Sequence, residues 1–240
     1  MANVLPYAVS IGAVSALPLI LGAWIALKRR PSDQVVGLIS AFGAGALVSA
    51  IAFDLVLEAS GNSGPAVLAA ALASGAIVYF LGSEYLDRRS KSGSASGRGL
   101  ALLMGATLDG IPESFILGLS IAAGGGFSLP FLVAVVVSNL PEGMASAAVL
   151  AKDPDYTTRR ILVIWGVVVG ISAVVAGLAS IVGAVVTLSG AVAQAFAAGA
   201  LLTMITDDLI PEARELGGLA AGLAAVLGFA VAFGLHQAGT

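Results

Sequence analysis

Eight stretches of this 240-residue chain run for about twenty residues or more with few charges in them, and that repetition admits few folds. A helix of that length rises about 30 Å, the thickness of a bilayer's hydrocarbon core. Inside that core every backbone N–H and C=O must be satisfied within the chain, which leaves helices as the solution for runs this long. Only 10% of the residues are charged, where a soluble domain carries about 25%. The chain therefore reads as an all-α, polytopic integral membrane protein. It forms a single domain over residues 1–240, with spans at about 4–27, 35–58, 65–86, 100–123, 128–151, 161–188, 191–213 and 217–238. The connections "GNSG", "GGG" and "TLSG" are short and uncharged, whereas 87–99, "DRRSKSGSASGRG", is polar and reads as a linker. No cysteine is present, so disulfides and thiolate metal sites are excluded. No basic patch exists to bind nucleic acid, so the lipid bilayer is the expected partner.

The first apolar run has no lysine or arginine before it. It reads as a membrane helix rather than a signal peptide. All 11 basic residues fall in odd-numbered connections: Lys28, Arg29 and Arg30; Arg88, Arg89, Lys91 and Arg98; Lys152, Arg159 and Arg160; and Arg214. The positive-inside rule makes that face cytoplasmic and puts both termini outside.

Residues 41–59, "AFGAGALVSAIAFDLVLEA", and 195–213, "AFAAGALLTMITDDLIPEA", are identical at 11 of 19 positions without a gap. The copies fall in spans two and seven, which run in opposite directions, as in the inverted repeats of secondary transporters. Four segments then share one spacing: Asp54 with Glu58, Asp109 with Glu113, Ser138 with Glu142, and Asp208 with Glu212. Residues four apart share a helix face, so each segment offers two oxygen-bearing groups to one side. Pro112, Pro141 and Pro211 precede three of the glutamates. A proline cannot donate to the carbonyl four residues back, so the carbonyls of Leu108, Val137 and Asp207 are candidate free acceptors. Carboxylates beside freed carbonyls make an oxygen site for a cation. At 1.5 Å per residue, Asp109 lies roughly 14 Å into span four and Asn139 roughly 17 Å into span five, both near the midplane. Asp54 and Glu58 approach the outer end of span two, and Asp208 and Glu212 the inner end of span seven, which outlines a cation route. His236, at the end of span eight, takes no part in this reading.

These motifs resemble those of the ZIP family of divalent metal transporters. The family's usual motif is His-Asn-x-Pro-Glu-Gly. "SNLPEG" matches it from Asn139 to Gly143 with Ser138 in place of histidine, and "DGIPES" keeps Pro112 and Glu113 with Asp109 in place of histidine, Gly110 in place of asparagine and Ser114 in place of glycine. The resemblance covers essentially the whole chain. It implies that Asp109, Glu113, Asn139 and Glu142 are the central ligands, that the cargo is zinc or iron, and that the protein is a homodimer in the cell membrane; the all-oxygen donor set points to harder ions such as manganese, iron or magnesium, with cadmium a further candidate. It also implies an elevator movement, with spans one, four, five and six carrying the metal against spans two, three, seven and eight. No prosthetic group and no enzymatic activity are expected. An intramembrane aspartyl protease would need two aspartates sharing a proton; Asp109 and Asp208 lack its Gly-x-Gly-Asp surroundings, and the Pro-Glu motifs would be left without a role. A proton- or sodium-coupled carrier of another solute, using the same carboxylates, is the alternative.

The charge segregation makes a direct prediction. A cysteine introduced at Ser94 should be labelled by an impermeant reagent only from the cytoplasmic side, and one at Asn62 only from outside. Labelling of both from one side would contradict the eight-span topology.

Overall fold

The structure is a computed structural model that describes residues 4–90, 95–122, 127–185 and 190–239. Among these the chain is helical with no strand. Helix α1 covers Val4–Arg29 and α2 Asp33–Ser60. Next come α3 (Pro65–Ser90), α4 (Ala95–Ala122), α5 (Leu129–Leu150) and α6 (Thr158–Val185). Helix α7 joins Gly190–Met204, Ile205–Leu209 and Ile210–Gly217, and α8 is Ala221–Gly239. Capping explains two of the starts: the Ser32 side chain accepts from the Val35 N–H at the head of α2, and Ser128 accepts from the Phe131 N–H at 3.1 Å at the head of α5.

Six of the described stretches are long and apolar enough to cross a membrane, and the last of them, Gly190–Gly239, holds both α7 and α8. Gly218, at φ 65°, turns the chain between the two. Gly217 lies against Gly37 near the start of α2, while His236 lies against Asp54 far along it, so α8 runs back beside α2. Helix α4 is as long as the crossing helices at 28 residues. Asp109, Pro112 and Glu113 sit in its middle. These are the helices of an integral membrane protein.

The polar segment 87–99 is largely helical rather than a loop: α3 continues to Ser90, extended by the Arg88–Glu84 pair at 2.7 Å, and α4 begins at Ala95. The rest of that segment, 91–94, lies outside the described residues, as do 124–126 of the "GGG" connection and 187–189 of "TLSG".

The helices sort into two groups by packing. Helices α1, α4, α5 and α6 pack on one another, as do α2 with α8, α3 with α7 and α2 with α7, while α5 also packs extensively on α2. Small residues permit this. A Cβ on Gly22 would stand 2.0 Å from the Leu140 carbonyl oxygen, and one on Gly143 2.2 Å from that of Leu19, so α1 and α5 touch backbone to backbone.

The two repeat copies make equivalent contacts in the second group. Gly45 of α2 abuts the Ala225 carbonyl of α8, and Gly228 of α8 abuts that of Phe42. In the other copy Gly199 of α7 abuts the Leu72 carbonyl of α3, and Gly75 of α3 abuts that of Phe196. Gly45 and Gly199 occupy the same place in the repeat, as do Phe42 and Phe196. Helices α2 and α7 run antiparallel, since Ile51–Leu57 packs on Gly190–Met204 while Gly37 packs on Gly217. Each copy also loosens into a π-helical segment at the same point, Ile51–Leu57 and Ile205–Leu209. Pro211 follows the second, but Leu57 holds that place in the first, so the proline is not what makes the bulge.

Candidate metal centre

Both Pro112 and Pro141 lie inside continuous helices. Glu113 is buried at 3% exposure, with Ser138 and Asn139 buried across from it on α5. The Ser138 hydroxyl donates to the Val135 carbonyl at 3.0 Å. Gly43 of α2 presses on the Ser138 backbone, where a Cβ would meet its Cα at 2.8 Å, so α2 closes this side of the site. The Asn139 amide donates to the Ser15 carbonyl of α1 at 2.9 Å and also meets the Glu113 carboxylate. Asn139 thus fastens α5 to α1 while orienting the glutamate.

Glu142, partly buried, feels four other acids: Asp109, Glu113, Glu212 and Asp208. These five carboxylates, from α4, α5 and α7, form one acidic field. Tyr79 of α3 links two of them, since its hydroxyl contacts an oxygen of Asp109 and, at 2.9 Å, one of Asp208. A phenol has a single hydrogen and can donate to only one carboxylate. The three-residue bridge is therefore complete only with a second proton or a cation shared among its oxygens.

Asp54 stands apart from the field. It is buried in the π-helical part of α2, with its Oδ1 2.6 Å from Nδ1 of His236 on α8. Sequence reasoning left His236 idle; the fold gives it a carboxylate partner. Glu58, one turn beyond Asp54, is exposed. Among the described residues no three His, Cys, Asp or Glu side chains converge tightly enough to hold a metal by themselves. Asp109 is drawn to Tyr79 and Asp208, and Asn139 to Ser15, so these groups are spread along the helices instead of closed on one point.

Tyr79, Ser15 and His236 were the partners that motif reading missed. The signals available were slight: a tyrosine within the apolar run of span three, and the one histidine of the chain. A cavity of about 670 Å³ opens at the end of the bundle that carries Arg30 and Lys152, and it reaches Met144 on α5 and Glu212 on α7. Glu212 is thereby the acidic group that joins the buried field to an open space.

No protein-family model matches the chain. It is 26% identical over 220 residues to a protein of Arabidopsis thaliana named "Putative zinc transporter", a match covering 85% of this chain. The chain spans 35% of that curated relative's length.

Tyr79→Phe tests the bridge. Hydrogen bonds to charged groups contribute about 1.5–3 kcal/mol each, and 1 kcal/mol moves the melting point of a chain this size by about 2–4 °C. The variant should melt roughly 3–10 °C lower in detergent by differential scanning fluorimetry. An unchanged melting point would mean the phenol does not hold the two aspartates.

Proposed function

We propose that the protein carries divalent metal cations across a cell membrane toward the cytoplasm, with zinc first and iron or manganese next, through the carboxylate field on α4, α5 and α7. The observation that carries this reading is the gathering of acids inside the bundle: Glu113 is buried on α4, and Tyr79 holds Asp109 of α4 beside Asp208 of α7. Each ion buried without a partner costs several kcal/mol. A mobile divalent cation offsets that cost, and the cation's departure restores it, which suits a passing cargo better than a permanent structural ion. The relative's name favours zinc. The oxygen-rich donor set, with Asp109 and Ser138 where the ZIP motif has histidines, extends the reading to harder ions.

Further observations support a ZIP-like mechanism. Eight spans with both termini outside accommodate all 11 basic residues on one face. On that topology the cavity at Arg30 and Lys152 opens to the cytoplasm and serves as the exit, with Glu212 at its inner wall. The packing groups, α1, α4, α5 and α6 against α2, α3, α7 and α8, correspond to a carrier unit and a frame in an elevator movement. The Asp109–Tyr79–Asp208 bridge spans the two, so the ion that loads Asp109 also loosens the carrier from the frame. In this reading the protein acts as a homodimer.

Glu113→Gln and Glu142→Gln test the reading because each removes one charge and keeps the shape. Either should abolish zinc uptake into proteoliposomes and the stabilisation by micromolar zinc in detergent. The metal-free melting point should hold or rise, because glutamine is cheaper to bury than an unpaired carboxylate. The double variant should be no worse than either single one, because the site is already broken. Full uptake in a single variant would make that glutamate structural. Uptake of another solute driven by a proton or sodium gradient, with no response to divalent ions, would favour the coupled-carrier alternative.

A further inference from the structure

We propose that Asp54 and His236 form a second, weaker binding site for a borderline divalent cation such as Zn²⁺, at the end of the bundle remote from the cavity. The inference rests on the divalent-cation reading above but uses different residues. Asp33 lines the cavity, and Asp54 lies roughly 30 Å further along α2. Three features of the pair point to a ligand. First, the Asp54 carboxylate is 8% exposed, and its Oδ2 is buried with no hydrogen-bond partner. Buried oxygens are nearly always satisfied, so a simple Asp–His hydrogen bond accounts for only half of this carboxylate. Second, Asp54 Oδ1 and His236 Nδ1 converge to 2.6 Å. An ionised carboxylate only accepts, so a proton on the imidazole occupies the space between them. A divalent ion can take that proton's place with modest parting of the two groups, and Oδ2 then supplies a third donor atom. Third, the site is held in shape. The His236 ring lies 5.6 Å from the ring of Phe53, which packs in turn on Phe229 and Phe233 at 6.2 and 4.9 Å.

The chemistry of the pair sets its preference. The chain has one histidine and no cysteine, so His236 is its only imidazole. Nitrogen with carboxylate oxygen suits Zn²⁺ better than Mg²⁺, whose ligands are oxygen and water. Two protein side chains, with water completing the shell, make an exchangeable site rather than a closed structural one. The repeat sharpens the contrast. Asp208 holds the same place in the second copy and belongs to the central acidic field. One copy of the motif thus serves the field, and the other pairs with the chain's imidazole.

A single histidine gives the experiment a clean reporter. Protein labelled with ¹⁵N at histidine, and purified without a histidine tag, should show one pair of imidazole nitrogen resonances. Zn²⁺ should shift that pair saturably, while Mg²⁺ at equal concentration leaves it in place. The shift should persist in Glu113→Gln, where the central field is disabled. Asp54→Asn should sharply raise the zinc concentration needed, because it removes the charged oxygen ligand of the pair. His236→Asn, for use if that variant does not fold, should lower the zinc stoichiometry measured by calorimetry. An unmoved imidazole in wild-type protein that zinc nevertheless stabilises would overturn this site and leave the central one standing. Zinc that neither stabilises the protein nor moves the resonance would overturn both. Equal zinc affinity at His236 in Asp54→Asn would overturn the pairing.

Discussion

Like charges buried together repel, and the rest of this structure is arranged around that fact. Glu142 lies within electrostatic reach of Asp109, Glu113, Asp208 and Glu212. Gathering acids where water is excluded is costly, whether they hold charges or protons, so the helices that hold these groups must be braced against each other. Two neutral side chains do part of that work. Asn139 fastens α5 to α1 while meeting Glu113, and Tyr79 holds Asp109 beside Asp208. Neither removes a charge. They position the acids and leave them to be neutralised by something that can come and go.

The bracing depends on close backbone approach. Gly22 and Gly143 let α1 and α5 touch, and Gly43 seats α2 on Ser138. A side chain at any of these positions would push α5, which carries Glu142, away from α1 or α2. In the frame, the reciprocal glycine contacts of α2 with α8 and of α7 with α3 repeat one design in two orientations. The matched π-helical segments widen both helices where Asp54 and Asp208 emerge. A π-bulge shifts the register of a helix by one residue and commonly marks a functional site. Each aspartate meets a partner on a neighbouring helix: His236 of α8 for Asp54, and Tyr79 of α3 for Asp208.

The carboxylates themselves were legible, because a charge inside an apolar run stands out one residue at a time. What they lean on was not. Tyr79 lies 30 residues from Asp109 and 129 from Asp208, and His236 lies 182 residues from Asp54. No local periodicity connects such pairs; only the packing of helices does. The π-helical segments left no mark either, since one is followed by proline and its twin is not. The helical ends within 87–99 left no apolar signal for a simpler reason: a helix that has left the hydrocarbon no longer needs apolar residues to continue, and serine, glycine and arginine carry it there.

X-ray anomalous scattering from crystals grown with zinc would locate the ion itself. A shared cation site built by α4 and α5 predicts a strong peak about 2.0–2.2 Å from carboxylate oxygens of Glu113 and Glu142. Zinc peaks confined to the protein surface, with both glutamates well ordered and unliganded, would contradict it.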